Sequence, residues 1–200
     1  KAREAQALFT LAQTYTDPTD VPAPVIAVGG LIGSGKSTLA EGLAVALACP
    51  VVASDRVRKA LAGVPPTTRA PDDAYSPAFS ARTFRELFRR AEVVVATGRG
   101  VILDATFRSR ELRHEAREVA RRHGRRFLFV ETGCDDATLR ERLRRRAGGP
   151  SVSDATEGLL ERIRQDFQPV TEVAPGEHVR VDTTRSTAEQ VAQVRAALGG

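Results

Sequence analysis

The sequence predicts an α/β protein: a five-stranded parallel sheet with helices on both faces. Two observations predict it. Short apolar runs at 25–28, 51–53, 100–106, 126–131 and 179–182 alternate with stretches of helical periodicity. Immediately after the first run comes Gly30-Leu31-Ile32-Gly33-Ser34-Gly35-Lys36-Ser37, which fits G-x-x-x-x-G-K-[ST] and opens a helix. Strands that alternate with helices in this way are joined by right-handed crossovers, so they lie parallel.

That second stretch, with Thr38 behind it, is a phosphate-binding loop (P-loop) by its spacing. Its glycines let successive backbone N–H groups turn inward as an anion nest, and the following helix aims its positive end at the same place. Gly30, Gly33, Ser34, Gly35, Lys36, Ser37 and Thr38 are therefore the expected nucleotide-binding residues. Lys36 is expected to reach the β- and γ-phosphates and the Ser37 hydroxyl to ligate Mg²⁺.

Taken in order, residues 3–15 carry Ala5, Leu8, Phe9, Leu11 and Ala12 and read as an amphipathic helix. A Pro-rich linker ends it by residue 24. The division is then 1–24 as the tail of an upstream domain, or a helix packed on the outside of the core, and 25–200 as a P-loop, kinase-like domain. The absence of Met and the start at Lys1 read as a piece of a longer chain. After the P-loop helix, Pro50 breaks the chain and Val51-Val52-Ala53 forms a second strand. Ser54 or Asp55 is the expected N-cap of the next helix. Residues 63–73 are irregular and Pro-rich. Ser76-Pro77 opens a long helix to about Ala96, with Phe84, Leu87, Phe88, Ala91, Val94 and Val95 on one face. The run Gly100–Thr106 is a strand ending in a carboxylate, followed by a helix over 109–123 and a strand over 126–131. Asp135-Asp136 caps a helix over 137–147, a loop spans 148–155, and a helix covers 156–167. A last strand at 179–182 and a helix over 186–198 complete the chain.

At 200 residues, with 42% hydrophobic and 28% charged, this is an ordinary globular composition. The net charge of +5 admits acidic partners such as phosphates. Two cysteines and three histidines without ligand spacing argue against zinc and against a disulfide framework, and fit a reduced, cytoplasmic setting. No apolar run approaches a membrane span and no signal peptide is present.

Ligands of parallel sheets sit beyond the carboxyl ends of the strands, which singles out Asp55, Asp104, Glu131 and Asp182. Asp55, with Arg58 one turn on, suits a general base with an arginine to hold substrate or the transferring group. An N-cap aspartate beside a surface arginine has the same pattern. Asp104 ends Val101-Ile102-Leu103-Asp104, the form of a Walker B carboxylate acting on Mg²⁺. Thr106 suits either a substrate contact or a turn. Arg142 and Arg146 share one helix face ahead of Gly148-Gly149-Pro150, as a closing lid requires, and a solvated helix face would look alike. Cys49, Cys134, His114, His123 and His178 read as structural or surface residues.

With these residues in place, the chain resembles the P-loop kinases related to polynucleotide kinase, zeta toxin and gluconate kinase. It looks most similar to the C-terminal ATP-binding half of bacterial two-domain proteins with an aminoglycoside-phosphotransferase-like first half. The resemblance runs from about Val25 to Asp182. It is carried by Gly30–Thr38, by the D-x-x-R of Asp55 and Arg58, and by Leu103-Asp104-Ala105-Thr106. Leu139–Arg146, Ser153-Asp154-Ala155 and Gln165–Pro169 add to it. It implies a three-layer P-loop NTPase fold with strand order 2-3-1-4-5. It also implies Asp55 as general base supported by Arg58, and Arg142 and Arg146 as lid arginines. Segment 63–75 matches no substrate-recognition pattern.

The expected function is an ATP- and Mg²⁺-dependent kinase that moves the γ-phosphoryl to a hydroxyl of a small molecule. A 5′-hydroxyl polynucleotide kinase is the alternative. Nucleic acid is the less favoured acceptor, because aromatics are only 5% and no basic–aromatic stacking surface is visible. A nucleotide-sensing module that transfers nothing is the third reading, with no membrane partner in any of them.

Overall fold

The computed structural model describes residues 23–147 and 157–199. The helix expected over 3–15, most of the linker before Val25 and the loop expected over 148–155 lie outside the described residues.

Five strands, β1 (Val25–Gly29), β2 (Val51–Ala53), β3 (Val101–Asp104), β4 (Phe127–Gly133) and β5 (His178–Asp182), form one sheet in the order β2-β3-β1-β4-β5. All four pairings are parallel. The expected order 2-3-1-4-5 is therefore found. The three inner strands open as apolar runs, Val25–Val28, Val101–Leu103 and Phe127–Val130, because both faces of the sheet are covered there.

On one face Ala27, Leu103 and Phe129 pack against α2 (Ser54–Leu61), α3 (Pro77–Ala96) and α4 (Arg110–Arg122), through Val57, Leu87, Ala91, Ala116 and Val119. On the other, Ile26, Val28, Ile102 and Leu128 meet Leu39 and Leu43 of α1 (Lys36–Leu47) and Val194 of α7 (Thr187–Gly199). A third, smaller cluster joins Leu139 and Leu143 of α5 (Asp136–Ala147) and Leu160 and Ile163 of α6 (Glu157–Asp166) to Ile32 of the P-loop.

Side-chain caps fix several helix starts. Ser76 accepts from Phe79 N at 3.3 Å, Ser109 from Leu112 N at 3.4 Å, and Asp135 from Thr138 N at 2.8 Å. The start of α2 differs from expectation. It follows β2 without a loop, its N-cap is the extended Ala53, and Ser54 and Asp55 lie inside its first turn. Neither side chain caps the helix, so the N-cap reading of Asp55 does not hold. No helix among the described residues is long and apolar enough to cross a membrane.

Candidate active site

The site sits at the carboxyl edge of the sheet. Val28 of β1, Asp104 of β3 and Ala53 of β2 lie side by side in register there. The chain leaves β1 into the P-loop, β2 into Asp55, and β3 into Ala105-Thr106. Adjacent strands are about 4.8 Å apart. The phosphate loop and the α2 carboxylate therefore flank Asp104, one on each side.

The loop is held in a curve that its glycines permit. Gly30, Gly33 and Gly35 have φ of 137°, 79° and 89°. A Cβ on Gly30 would stand 2.5 Å from the Thr132 carbonyl oxygen, so that position admits only glycine. The Gly30 N–H donates to the Thr106 carbonyl at 3.2 Å, which ties the loop to the end of β3. Thr106 thus serves here through its backbone. Behind the loop the Ser34 hydroxyl, 1% exposed, hydrogen-bonds the Thr132 hydroxyl at 2.7 Å, and Thr132 donates to Gly29 O at 2.9 Å. Ser34 was expected among the nucleotide-binding residues; its hydroxyl faces inward, and its backbone N–H donates to Leu31 O at 3.2 Å within the loop itself. Gly35 caps α1 with no side chain over the helix end. The Lys36 ammonium donates to Leu31 O at 2.7 Å, within the loop's own curve, and Ser37 and Thr38 are exposed.

Asp104 is 8% exposed, and among the described residues nothing gives its carboxylate a hydrogen bond or an ion pair. A nearly buried carboxylate without a cation of its own suits a metal ion. Among the described residues no three His, Cys, Asp or Glu side chains converge. Mg²⁺ takes one or two protein oxygens and completes its shell with phosphate and water. Ser37, exposed at the start of α1, and Asp104 would be the residues to offer such oxygens.

Asp55 is partly exposed and lies 3.3 Å from the ammonium of Lys59, which is 1% exposed and one turn along the same helix. Arg58, expected to support substrate or phosphate, turns instead to the short 3₁₀ turn Asp72–Tyr75 and to α3. It donates to Ala74 O and, at 3.3 Å, to Ser80 Oγ, and its guanidinium stands 4.8 Å over the Tyr75 ring.

Arg142 donates to Thr183 Oγ1 at 2.9 Å and to Thr183 O at 2.6 Å. Thr183 in turn contacts Gly35, where an added Cβ would lie 3.0 Å from its own Cβ. Arg142 is therefore docked beside the phosphate loop by way of the turn after β5. The Arg146 side chain lies outside the described residues. Cys134 lies 3.7 Å from Arg142; burial raises its thiol pKa, and the guanidinium works against that.

Two of the four carboxylates singled out at strand ends are structural. Glu131 lies inside β4, because that strand continues to Gly133. It meets His178 Nε2 at 3.0 Å and accepts from Arg180 Nε at 2.8 Å, both on neighbouring β5. Asp182 accepts from the Thr184 N–H and hydroxyl at 2.9 and 2.7 Å, bonds that lower its pKa. A cavity of about 410 Å³ runs along the outer edge of β2 between Ala53, Arg56, Val57, Arg90 and Val93. No P-loop residue lines it, nor does Asp55 or Asp104.

The loop after β3 is braced from below by Arg113 of α4, whose side chain is fully buried. It donates to the carbonyls of Phe107, Gln168 and Pro169 at 3.0, 3.2 and 3.3 Å and pairs with Glu172 at 2.5 Å. Phe107 is a non-glycine residue with φ of 45°, a conformation its surroundings must impose. Burial of Glu172 works to raise its pKa, but the Arg113 guanidinium and the Thr171 N–H hold it down to about 2. The folded value lies below the unfolded one, near 4.3. The stabilisation is therefore complete above that pH and lost as pH falls through about 2. Urea melts of the protein and of Glu172→Gln should differ most at neutral pH and converge across that acid window.

The AAA domain family matches residues 25–170. The uncharacterized protein Rv2004c of Mycobacterium tuberculosis is 35% identical over 136 residues, which are 64% of this chain and 26% of that protein. Mb2027c of Mycobacterium bovis matches equally. The chain thus spans about a quarter of the curated relatives' length. Among solved structures, a gluconokinase from Sinorhizobium meliloti is 26% identical with a TM-score of 0.61, over 90% of this chain and 93% of that one. The APS kinase CysC of Mycobacterium tuberculosis, in complex with AMPPNP and APS, is 23% identical with a TM-score of 0.63, over 90% and 99%. Kti12 of Chaetomium thermophilum, in complex with ADP-AlF3, is 17% identical with a TM-score of 0.67, over 88% and 100%. The fold is that of these P-loop proteins.

Proposed function

The chain belongs to the AAA domain family and has a P-loop kinase-like fold, and on that premise we propose that it transfers the γ-phosphoryl of ATP to a hydroxyl of a small molecule. The observation that carries this reading is the register Val28–Asp104–Ala53. It supports a phosphate cradle on one side of Asp104 and a second carboxylate, Asp55, on the other. Pure nucleotide binding has no use for the second carboxylate.

The backbone N–H groups of Gly33, Gly35 and the first turn of α1, which includes Thr38, hold the triphosphate. Lys36 leaves Leu31 O for the β- and γ-phosphates. Mg²⁺, held by Ser37 and Asp104, supplies charge neutralisation at the phosphate oxygens. Asp55 accepts the proton of the acceptor hydroxyl. Arg58 shapes the acceptor side by holding residues 74–80 rather than by touching phosphate. Arg142, beside Gly35 through Thr183, and Arg146 answer the charge that develops on the transferring group. The domain runs over 25–200. In the full-length protein it is joined to an upstream aminoglycoside-phosphotransferase-like part, in keeping with relatives about four times the length of the matched region.

The test is MgATP consumption across a panel of sugars, sugar acids, nucleosides and a 5′-hydroxyl oligonucleotide. ADP release that depends on one small alcohol is expected. Release only with the oligonucleotide, at low salt, would replace the acceptor class. Tight ATP binding with no transfer to any acceptor would leave a nucleotide-binding module.

A further inference from the structure

We propose that Lys59 is a positioning residue for phosphoryl transfer: its buried ammonium holds the Asp55 carboxylate in place and ties it to the turn over residues 64–66. This rests on the reading of Asp55 as the base.

The argument begins with burial. Lys59 is 1% exposed, whereas Arg56 and Ala60 beside it on the same helix are exposed. Removing an ammonium from water is strongly unfavourable, and an apolar side chain of similar length would fill the position without that desolvation. The ammonium is instead shared. It lies 3.3 Å from Asp55 Oδ2 and donates to Pro66 O at 3.1 Å, while the Lys59 carbonyl accepts from Val64 N at 3.0 Å. One turn of α2 therefore carries both the carboxylate and the cation that orients it.

The neighbouring residue extends the pattern. Arg58 fastens the other end of the same segment, through Ala74 O, Ser80 and the Tyr75 ring. Consecutive side chains thus pin both ends of 63–75, the stretch without a recognisable substrate pattern, to the helix that bears Asp55. An acceptor that presses on this segment is felt at the carboxylate through Lys59.

The chemistry tolerates a cation there. Phosphoryl transfer has a loose transition state, in which aiming the attacking oxygen matters more than early removal of its proton. A lysine also suits the place, because its compact charge pairs with the carboxylate at 3.3 Å while it donates to Pro66 O at 3.1 Å.

A double-mutant cycle on MgATP turnover, with water alone and with D-gluconate as acceptor, tests the proposal. Lys59→Met is expected to lower kcat about a hundredfold, the effect of misplacing a catalytic group by an ångström, with the KM for ATP unchanged. Lys59→Arg is expected to recover part of it. The Asp55→Asn/Lys59→Met pair should be no slower than Asp55→Asn alone. If the two losses multiply, or if the Lys59→Met loss merely follows its folded fraction in circular-dichroism melts, Lys59 is structural and the proposal falls while the base reading stands. If Asp55→Asn leaves turnover unchanged, the base reading itself falls. Lys59→Gln, which keeps a donor for Pro66 O but no charge, replaces Lys59→Met should that variant melt below the assay temperature.

Discussion

Asp55→Asn is expected to slow phosphoryl transfer roughly 10²–10⁴-fold while ATP affinity holds, because a positioned general base contributes about that much. The substitution is nearly isosteric. The Lys59 ammonium, now an ion-pair distance of 3.3 Å from the carboxylate oxygen, faces an amide oxygen of the same size instead. What disappears is the ability to take a proton from an alcohol. The carboxylate also lies in the first turn of α2, where a negative charge is favourable by about 0.3–1 kcal/mol. The substitution also takes the anion from beside the buried Lys59 ammonium, so melting temperature drops as well, and turnover is compared per folded molecule. Steady-state kinetics on the acceptor that the panel identifies, with nucleotide binding by calorimetry, separate the two. Turnover within a few-fold of the unsubstituted protein would remove Asp55 from the mechanism.

Arg113→Ala should produce the largest loss of stability, about 3–5 kcal/mol, the range for breaking a buried ion pair from one side. The change strands the Glu172 carboxylate and three backbone carbonyls and empties a cavity beneath Phe129. Each kcal/mol lowers the melting temperature by roughly 2–4 °C at this chain length. The effect should also reach the nucleotide. Arg113 steadies Phe107 in its left-handed conformation, and the preceding carbonyl, of Thr106, receives the Gly30 N–H. Weaker ATP binding in the folded fraction is therefore expected. The Arg113→Met/Glu172→Leu pair, which removes both charges, should regain part of the stability. Calorimetric melts of the three proteins check this.

The P-loop was legible because its chemistry is local: four glycine, lysine and serine positions within eight residues, set between an apolar run and a helix. The place of Asp104 was legible for a related reason: an apolar run that stops at a carboxylate reads as the end of a buried strand, which is where it lies. Lys59 and Arg113 escaped notice. A basic residue on an amphipathic helix reads as solvated, and nothing within a helical turn announces that it is buried. Besides Phe107, Arg113 finds its partners 55 to 59 residues away, and only folding brings Gln168, Pro169 and Glu172 to it. The strand-end rule selected Glu131 and Asp182 as readily as Asp55, because position alone does not reveal whether neighbouring strands already satisfy a carboxylate. Arg58 shows the converse. Its D-x-x-R spacing was plain, but its direction depends on where residues 72–80 return to α2.

The hydroxyl pair of Ser34 and Thr132, with Thr183 wedged against Gly35, shapes the cradle from strands and turns rather than from its cargo. A receptor whose curvature is fixed in advance forfeits little chain entropy when a nucleotide arrives. Association should then resemble the seating of a key more than the folding of a glove.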